Sequence, residues 1–287
     1  MSKRINVQKT YKLYIDGKFP RTESGRYIKW QSPKDSSIVN ICRGSRKDFR
    51  NSVVAARTAV NGWSGKTAYN RSQIIYRIAE MLEGRREQFI AELAMQGSTK
   101  SQAEKEINFS IDRLIYYAGW ADKYQQIFSR VNPVSIPYFN FTIPEPTGVV
   151  AAIASNESSL LGLVSIIAPA LSGGNTIVIL ASESKPLCSI SFAEVLHSSD
   201  VPDGVVNILT GQVEELLEHF SSHMDVNTII YCGDNNKRIK TIKMNAALNV
   251  KRVILYSDKD LLKESSQDPY YILKTQETKT TWHPIGV

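Results

Sequence analysis

The stretch from Gly148 to Gly211 constrains the fold more than any other part of the sequence. Its apolar residues come in continuous runs, and between these runs they recur at helical spacing. This alternation predicts buried strands at 148–154, 176–180 and 205–209, with helices at 160–171 and 186–197. Strands that are apolar throughout and alternate with helices are typical of a parallel sheet covered by helices on both faces.

Parallel sheets of this kind bind ligands in the crevice beyond the carboxyl ends of their strands. The loops at those ends follow directly from the predicted strand boundaries. The sequence therefore predicts that any binding site lies in the loops 154–159, 181–185 and 210–213.

The leading half of the chain shows helical spacing without recognisable site chemistry. With 42% hydrophobic residues, the 287-residue chain can fill the core of one large domain or two small ones. The apolar stripe of Ile107, Ile111 and Leu114 is more typical of core than of a binding surface. Helices are predicted at 48–63, 70–83, 88–95 and 103–124.

The formal net charge of +7 does not by itself indicate a nucleic-acid site. Acidic residues are interleaved with the basic ones in most predicted helices, and aromatic residues do not alternate with lysines as on a stacking platform. No run of eighteen apolar residues is present, and no apolar core follows the basic residues at the N-terminus. We expect neither nucleic acid nor a membrane as a partner, and no signal peptide.

The cysteines and histidines favour a reducing compartment and no metal site. Three scattered cysteines without paired spacing are typical of a cytoplasmic protein, which is the expected location. The four histidines show no ligand spacing with cysteines or carboxylates. His219 and His223 are four residues apart, but the serines between them favour a loop or a helix end.

Short motifs along the chain occur in an order known from one family. They are YIDGKF at 14–19, GVV at 148–150, APAL at 168–171, GNT at 174–176, GVVN at 204–207 and TG at 210–211. In these motifs the chain resembles the coenzyme-binding domain of the aldehyde dehydrogenase superfamily, over roughly residues 10–260. The resemblance implies an α/β fold. Its parts are a Rossmann-like parallel sheet with helices on both faces, a helical leading segment and a protruding β oligomerisation arm.

The catalytic groups of that family have no match in this chain. The resemblance implies a thiolate nucleophile and a Glu that activates it as a base. The position of the base is Tyr256, and Ser257, Asp258 and Lys259 replace the rest of the family's Glu-Leu-Gly-Gly motif. The cysteines do not match the context of the nucleophile, and we interpret them as buried packing residues: Cys42, Cys188 and Cys232.

The loop after the first predicted strand is also changed. In the family an Asn amide in this loop helps to form an oxyanion hole. That position aligns with Glu157, while Asn156 lies one place away, so that a local slip would restore the amide. We predict that the chain has no catalytic residues and is not an enzyme on its own.

The positions that bind coenzyme in the family are only partly retained. Glu183 matches the ribose-binding Glu, Gly211 matches one of two glycines in the loop after the third strand, and Gly233 matches a glycine that faces the phosphates. Asp234 is expected to be an ordinary helix N-cap, and its carboxylate would repel a pyrophosphate at ~4 Å by roughly 1–4 kcal/mol. We predict no cofactor, with weak NAD(P) binding as the upper limit. The changed positions are Leu180 for a ribose-binding Lys, Val213 for a glycine and Asp234 for a Ser.

Two segments resemble the family's oligomerisation arm. Residues 134–146 carry a hairpin pattern, and residues 268–282 form a polar, β-branched and aromatic run. The catalytic domain that separates such segments in the family is missing at about 260–268, which resembles the partial second copy in aldehyde dehydrogenase family 16. We predict a helical leading part at 1–130, a hairpin at 131–146, a Rossmann-like part at 147–262 and a C-terminal oligomerisation strand at 263–287.

Three functions remain open from the sequence. The first is a catalytically inactive assembly or regulatory subunit, which forms a homodimer or joins an active aldehyde dehydrogenase chain. The second is a residual NAD(P)-binding module, which Glu183 and Gly211 favour and Asp234 opposes. The third is an aldehyde oxidoreductase component that another chain completes with its own Cys and Glu. The retained arm and the lost nucleophile favour the first.

Overall fold

The leading segment is mostly helical, as the apolar spacing predicts. The structure is a computed structural model, which describes residues 9–256 and 261–286. The fourth predicted helix is shorter than expected, because it ends at Trp120 and a separate short helix follows. The elements are β1 (Tyr27–Gln31), β2 (Ile38–Cys42), α1 (Arg46–Ser64), α2 (Ala68–Gly84), α3 (Arg86–Met95), α4 (Lys100–Trp120) and α5 (Tyr124–Phe128).

Local capping fixes where the long helices of this segment begin. Ser45 precedes α1 and forms a capping box with Asp48, in which each side chain bonds the backbone N–H of the other residue. Thr99 and Gln102 form the same arrangement at the start of α4. Asp48 also accepts the hydroxyl hydrogen bond of Thr22 at 2.6 Å, so the first turn of α1 is tied to the chain before β1.

The centre of the protein is a five-stranded parallel sheet. After β3 (Arg130–Asn132) and β4 (Tyr138–Pro146), the elements are β5 (Val149–Ile153), α6 (Leu161–Ser172), β6 (Thr176–Leu180), α7 (Leu187–His197), β7 (Val206–Leu209), α8 (Val213–Ser222), β8 (Thr228–Cys232), α9 (Asn236–Ala247) and β9 (Arg252–Tyr256). The strand order of the sheet is β7-β6-β5-β8-β9, and β1 pairs antiparallel with β2 in a separate hairpin. The Rossmann-like α/β fold is therefore confirmed.

Helices cover both faces of this sheet. Side chains alternate between the two faces along each strand, so each strand contributes residues to both cores. On β5, Val149, Ala151 and Ile153 pack in a core with residues of α1, α8 and α9. Val150 and Ala152 point the other way, into a core formed with α2, α3, α4, α6 and α7. All residues of β5 and β6 are buried, which explains the continuous apolar runs in the sequence.

The chain returns from β9 to a second, three-stranded sheet. The last elements are α10 (Tyr270–Leu273) and β10 (Gln276–Pro284). β10 pairs antiparallel with β4 from Gln276 opposite Pro146 to Pro284 opposite Tyr138, and β3 pairs with the other side of β4. We refer to this sheet, with the order β10-β4-β3, as the arm sheet.

The strand predicted over residues 268–282 is wrong in its first part, because residues 270–273 are helical. Asp268 Oδ1 accepts the N–H of Tyr270 at 2.8 Å, which starts the turn. Ile272 is fully buried, and a Cβ added at Gly173 would lie 3.1 Å from its Cγ2 atom. Burial of Ile272 against the end of α6 therefore overrides the strand-like pattern.

Asn175 joins the arm sheet to the central sheet. Its Oδ1 atom accepts hydrogen bonds from the Thr147 hydroxyl at 3.1 Å and from the Gly148 N–H at 3.0 Å. Its Nδ2 atom donates to the carbonyl oxygen of Thr275 at 3.0 Å. The side chain is fully buried, so none of these groups has water as an alternative partner.

We predict that Asn175→Ala destabilises the protein by roughly 1–3 kcal/mol, because the buried Gly148 N–H loses its acceptor and the Thr275 carbonyl loses one of its donors. The free energy of unfolding is measured by urea denaturation. Asn51→Ala, at an exposed site on α1, is the matched control and should change it by less than about 0.5 kcal/mol. Equal effects of the two substitutions would contradict this account of the junction.

Candidate functional site

The predicted site loops lie side by side at one edge of the central sheet. Ile153 is paired with Leu180 and with Tyr231, and Leu180 is paired with Leu209, so these strands end at the same level. The Ala154 N–H donates to the Leu180 carbonyl at 2.9 Å, just beyond the paired residues. We call this carboxyl edge, with the loops 154–159, 181–185, 210–213 and 233–235, the candidate site.

Glu183 is held by the chain itself. Its Oε1 atom accepts the N–H of Val213 at 2.8 Å, at the first residue of α8. The N-cap residue Gln212 makes no side-chain capping bond, so Glu183 supplies the acceptor from another loop. A carboxylate at this position also interacts favourably with the positive end of the helix dipole. Capping of α8 therefore gives Glu183 a structural role that does not require a coenzyme.

Gly211 makes a close contact with the leading segment. The Gly44 N–H donates to the Thr210 carbonyl at 2.8 Å, and the Thr210 hydroxyl donates to the Cys42 carbonyl at 2.7 Å. A Cβ atom on Gly211 would lie 3.2 Å from Leu216 Cδ1 and 3.4 Å from the Gly44 nitrogen. A larger residue here would require Leu216 to shift, so the packing favours glycine whether or not a ligand approaches.

Gly233 lies under an aromatic ring. Its φ of 150° is in the region that favours glycine, and a Cβ atom would lie 3.1 Å from the Tyr231 hydroxyl oxygen.

The expectation that Asp234 caps α9 is wrong by one residue. Asn235 is the N-cap, with Oδ1 accepting the Arg238 N–H at 3.1 Å, while Asp234 is exposed before it. Asn235 has extended backbone angles and Asn236 is already helical, so the cap falls there.

An ion pair connects the first turns of α8 and α9. Arg238 Nη2 lies 2.7 Å from Glu214 Oε1, and its Nε donates to the same oxygen at 2.8 Å. Burial would lower the pKa of Arg238, but hydrogen bonds to Glu214 and Tyr231 raise it instead. The guanidinium therefore already has an anionic partner in the crevice between the two helices.

The other two helices at this edge are capped by side chains of the leading segment. Glu106 Oε1 on α4 accepts the N–H groups of Leu160 and Leu161 at 2.8 and 3.2 Å, at the start of α6. Gln96 Oε1 accepts the Leu187 N–H at 3.0 Å, at the start of α7. Sequence reasoning missed both residues, because each acts on a segment more than fifty residues away and no local motif marks it.

The loop after β5 is bonded to the loop after β6. Asn156 Oδ1 accepts the Glu183 N–H and the Ser182 hydroxyl, both at 3.0 Å. Lys185 Nζ donates to the Glu157 carbonyl at 2.6 Å. A cavity of about 560 Å³ adjoins these loops. Its lining includes Gln102, Glu106, Glu157, Ser158, Lys185 and Leu261.

Most of the chain matches one known protein family. The family model described as "Aldehyde dehydrogenase family" matches residues 20–257, which is most of the chain. The chain belongs to the aldehyde dehydrogenase family. The resemblance found in the motifs is thereby confirmed at the level of the family.

Individual members of the aldehyde dehydrogenase family match at similar levels. DhaS of Bacillus subtilis (strain 168) is 33% identical over 263 residues, which cover 89% of this chain and 52% of DhaS. Cytosolic 10-formyltetrahydrofolate dehydrogenase of Mus musculus is 32% identical over 260 residues, covering 88% of this chain and 29% of that protein. The chain spans about half the length or less of these curated relatives.

Solved structures of the family agree with the fold. The NAD+ complex of aldehyde dehydrogenase from Bacillus cereus superposes with a TM-score of 0.82 at 28% identity. The superposition covers 87% of this chain and 51% of that chain. The shared half contains the parallel sheet and its helices.

The three cysteines have no exposed thiol at the candidate site. Cys42 and Cys188 are buried and Cys232 is half-buried. Burial raises the pKa of the Cys188 thiol, with the nearby Glu92 carboxylate acting in the same direction, so its thiolate is disfavoured. Burial likewise raises the pKa of Tyr256, whose ring packs on Tyr271 at 5.2 Å between centroids. The replaced positions Ser257, Asp258 and Lys259 lie outside the described residues.

No metal centre and no membrane helix is present within residues 9–256 and 261–286. In these ranges no group of three or more His, Cys, Asp or Glu residues is arranged to hold a metal ion. No helix there is long and apolar enough to cross a bilayer. His219 lies in the last turn of α8 and His223 is its C-cap, and burial lowers the pKa of both.

We predict that Glu106→Ala destabilises the protein by roughly 1–3 kcal/mol, because the start of α6 loses its acceptor. Glu104→Ala on the same helix is the matched control, since the Glu104 side chain is 45% exposed and its ion pair with Lys100 is 3.9 Å long. That control should cost less than about 0.5 kcal/mol. Thermal unfolding followed by circular dichroism measures both, and a Glu104 effect as large as that of Glu106 would refute the capping role.

Proposed function

We propose that this chain is a non-catalytic member of the aldehyde dehydrogenase family that acts as an assembly or regulatory subunit. One observation carries the proposal: the arm sheet is complete, although only residues 257–275 connect β9 to it. A family-type catalytic domain between these elements would need far more chain. The protein therefore keeps a surface suited to assembly and has no polypeptide at this point to carry the family's nucleophile.

The arm sheet has an exposed apolar face that supports this proposal. Val131 and Phe139 are 63% and 43% exposed, and the ring centroids of Phe139 and Phe141 are 5.5 Å apart. Together with Ile143 these side chains line an open groove of about 320 Å³. We call these four residues the arm face. Contiguous exposed apolar surface of this kind is typical of an interface.

The opposite face of the arm sheet is polar and internally bonded. Asn132 Nδ2 donates to Asn140 Oδ1 at 2.6 Å and to Thr142 Oγ1 at 2.7 Å. The hydroxyls of Thr142 and Thr280 are 3.0 Å apart and link β4 to β10. These bonds hold the three strands together, so the arm sheet has a defined shape before any partner binds.

The capping pattern at the candidate site supports the absence of a coenzyme. Free N–H groups at helix starts are the usual phosphate site, and here the chain's own side chains accept from them. A pyrophosphate near α8 or α9 would also meet the carboxylates of Glu183 and Asp234. At ~4 Å each would repel it by roughly 1–4 kcal/mol. The residues at this edge do not fit a tightly bound dinucleotide.

We predict that titration calorimetry with NAD or NADP gives no saturable binding below about 1 mM, a free energy weaker than roughly −4 kcal/mol. The positive control is an active aldehyde dehydrogenase under the same conditions. We also expect no NADH formation with an aldehyde and NAD. Micromolar binding without turnover would favour a residual NAD(P)-binding module, and turnover would favour an oxidoreductase component; either result removes the present proposal.

A second prediction concerns assembly. The chain mass is 32.2 kDa, and light scattering should give twice this mass for a homodimer or a larger complex with an active aldehyde dehydrogenase chain. Val131→Lys combined with Phe139→Lys should lower the mass of any assembly that buries the arm face, because a charged residue in a buried apolar interface is strongly unfavourable.

The control is Val54→Lys on α1, where the valine is 56% exposed and lies outside the arm sheet. This variant adds the same charge at a similarly exposed valine and should leave the mass unchanged. If the wild-type protein is a monomer alone and in the presence of an active chain, the assembly role is wrong. If the arm-face variant still assembles, assembly does not use this face.

A further inference from the structure

The outer edge of β10 carries unpaired backbone groups. The Thr147 N–H donates to the Thr275 carbonyl at 3.1 Å, and the Ile285 N–H donates to the Pro137 carbonyl at 3.0 Å. Backbone groups alternate in direction along a strand, so odd-numbered residues of β10 bond to β4 and even-numbered residues face away. Within the described part of the chain β10 is the terminal strand of its sheet, so no strand pairs with those even-numbered residues.

The opposite edge of the arm sheet is blunted. β3 covers only positions 140–142 of β4. Beyond them, Pro144 and Pro146 occupy the positions whose N–H groups would face that edge, and proline has none to donate. The Pro144 carbonyl accepts the Gln125 side chain at 3.2 Å. A strand added to the arm sheet therefore has β10 as its better partner.

We propose that β10 pairs antiparallel with β10 of a second copy of this chain, around a two-fold axis at Thr280. The proposal rests on the assembly function above and adds the pairing strand and its register. The outward N–H groups each meet a carbonyl of the second copy, and two three-stranded sheets become one six-stranded sheet with an isologous interface. The exposed outward donors are Thr278, Thr280 and Trp282.

The sequence of β10 favours this register. An axis at Thr280 pairs the exposed residues 277–283 with their symmetry mates and sets Glu277 opposite His283. An axis at Lys279 would place two lysines directly opposite each other, and like charges directly opposite disfavour a strand pair. An axis at Thr281 would leave Glu277 without a facing residue in the second β10.

Pairing in this register also covers exposed side chains. Trp282 is 53% exposed, and its ring lies beside that of Tyr138 with centroids 6.1 Å apart. In the dimer it lies opposite Thr278 of the second copy, and aromatic–β-branched pairs are favourable across strands. In this register Lys279 lies opposite Thr281 of the second copy and keeps its ion pair with Glu145 at 2.7 Å.

Disulfide trapping tests the register directly. Thr280→Cys places two cysteines opposite each other with Cα atoms about 5.5 Å apart, within the range that a disulfide spans. In Thr281→Cys, the adjacent matched control, the two cysteines are diagonal neighbours about 7–8 Å apart. After mild oxidation with copper–phenanthroline, we expect roughly tenfold more covalent dimer for Thr280→Cys than for Thr281→Cys on a non-reducing gel.

A proline at the edge gives a second readout without new cysteines. Thr278→Pro removes an outward N–H but no bond to β4, and it should convert the dimer to a 32.2 kDa monomer in light scattering. Thr278→Ala keeps the N–H and should remain dimeric. Unchanged thermal unfolding of both variants would show that the arm sheet itself is intact.

The outcomes separate this inference from the function on which it rests. Suppose that the wild-type protein is a dimer or binds an active chain. If Thr278→Pro then keeps the mass of the wild-type assembly and the two cysteine variants cross-link equally, the β10 edge pairing is wrong and the proposed assembly function is retained. If the arm-face variant dissociates in that case, the arm face is the interface. A monomeric wild-type protein with no cross-link overturns the self-pairing and, when no active chain binds either, the assembly function with it.

Discussion

The need to satisfy free backbone N–H groups at the starts of helices dominates the candidate site. A parallel sheet covered on both faces sends the start of every crossover helix to the same edge, where these donors need acceptors. Here the acceptors are Glu106 for α6, Gln96 for α7, Glu183 for α8 and Asn235 for α9. In a phosphate-binding site the ligand would supply these acceptors, whereas here side chains of the same protein supply them.

The central sheet was predictable because its signal is local. Buried strands leave continuous apolar runs, and the boundaries predicted for 176–180 agree with β6. The caps were not predictable in this way, because Glu106 reads as one polar residue beside the core stripe of α4 until the fold brings α6 to it. The short helix at 270–273 was missed for the same reason, since the burial of Ile272 depends on a helix one hundred residues earlier.

The segment between β9 and β10 is anchored by residues of the leading helices. The Arg113 guanidinium is buried and donates to the Leu261 carbonyl at 2.8 Å, and the Tyr117 hydroxyl donates to the Asp268 carbonyl at 3.2 Å. Burial lowers the pKa of Arg113, but the pKa of an arginine is high enough for the group to remain charged. These bonds direct the chain from the central sheet straight to the arm, without an intervening domain.

The position of β4 in the middle of the arm sheet has a kinetic consequence. Its partner β3 is close in sequence, but its bond to β10 joins residues 138 positions apart, as between Thr142 and Thr280. Closing so long a loop is slow relative to forming a hairpin. During synthesis the β3–β4 hairpin therefore waits with its β10-facing side open and its phenylalanines exposed. Until β10 pairs with it, the hairpin keeps an open strand edge, and unpaired edges promote aggregation.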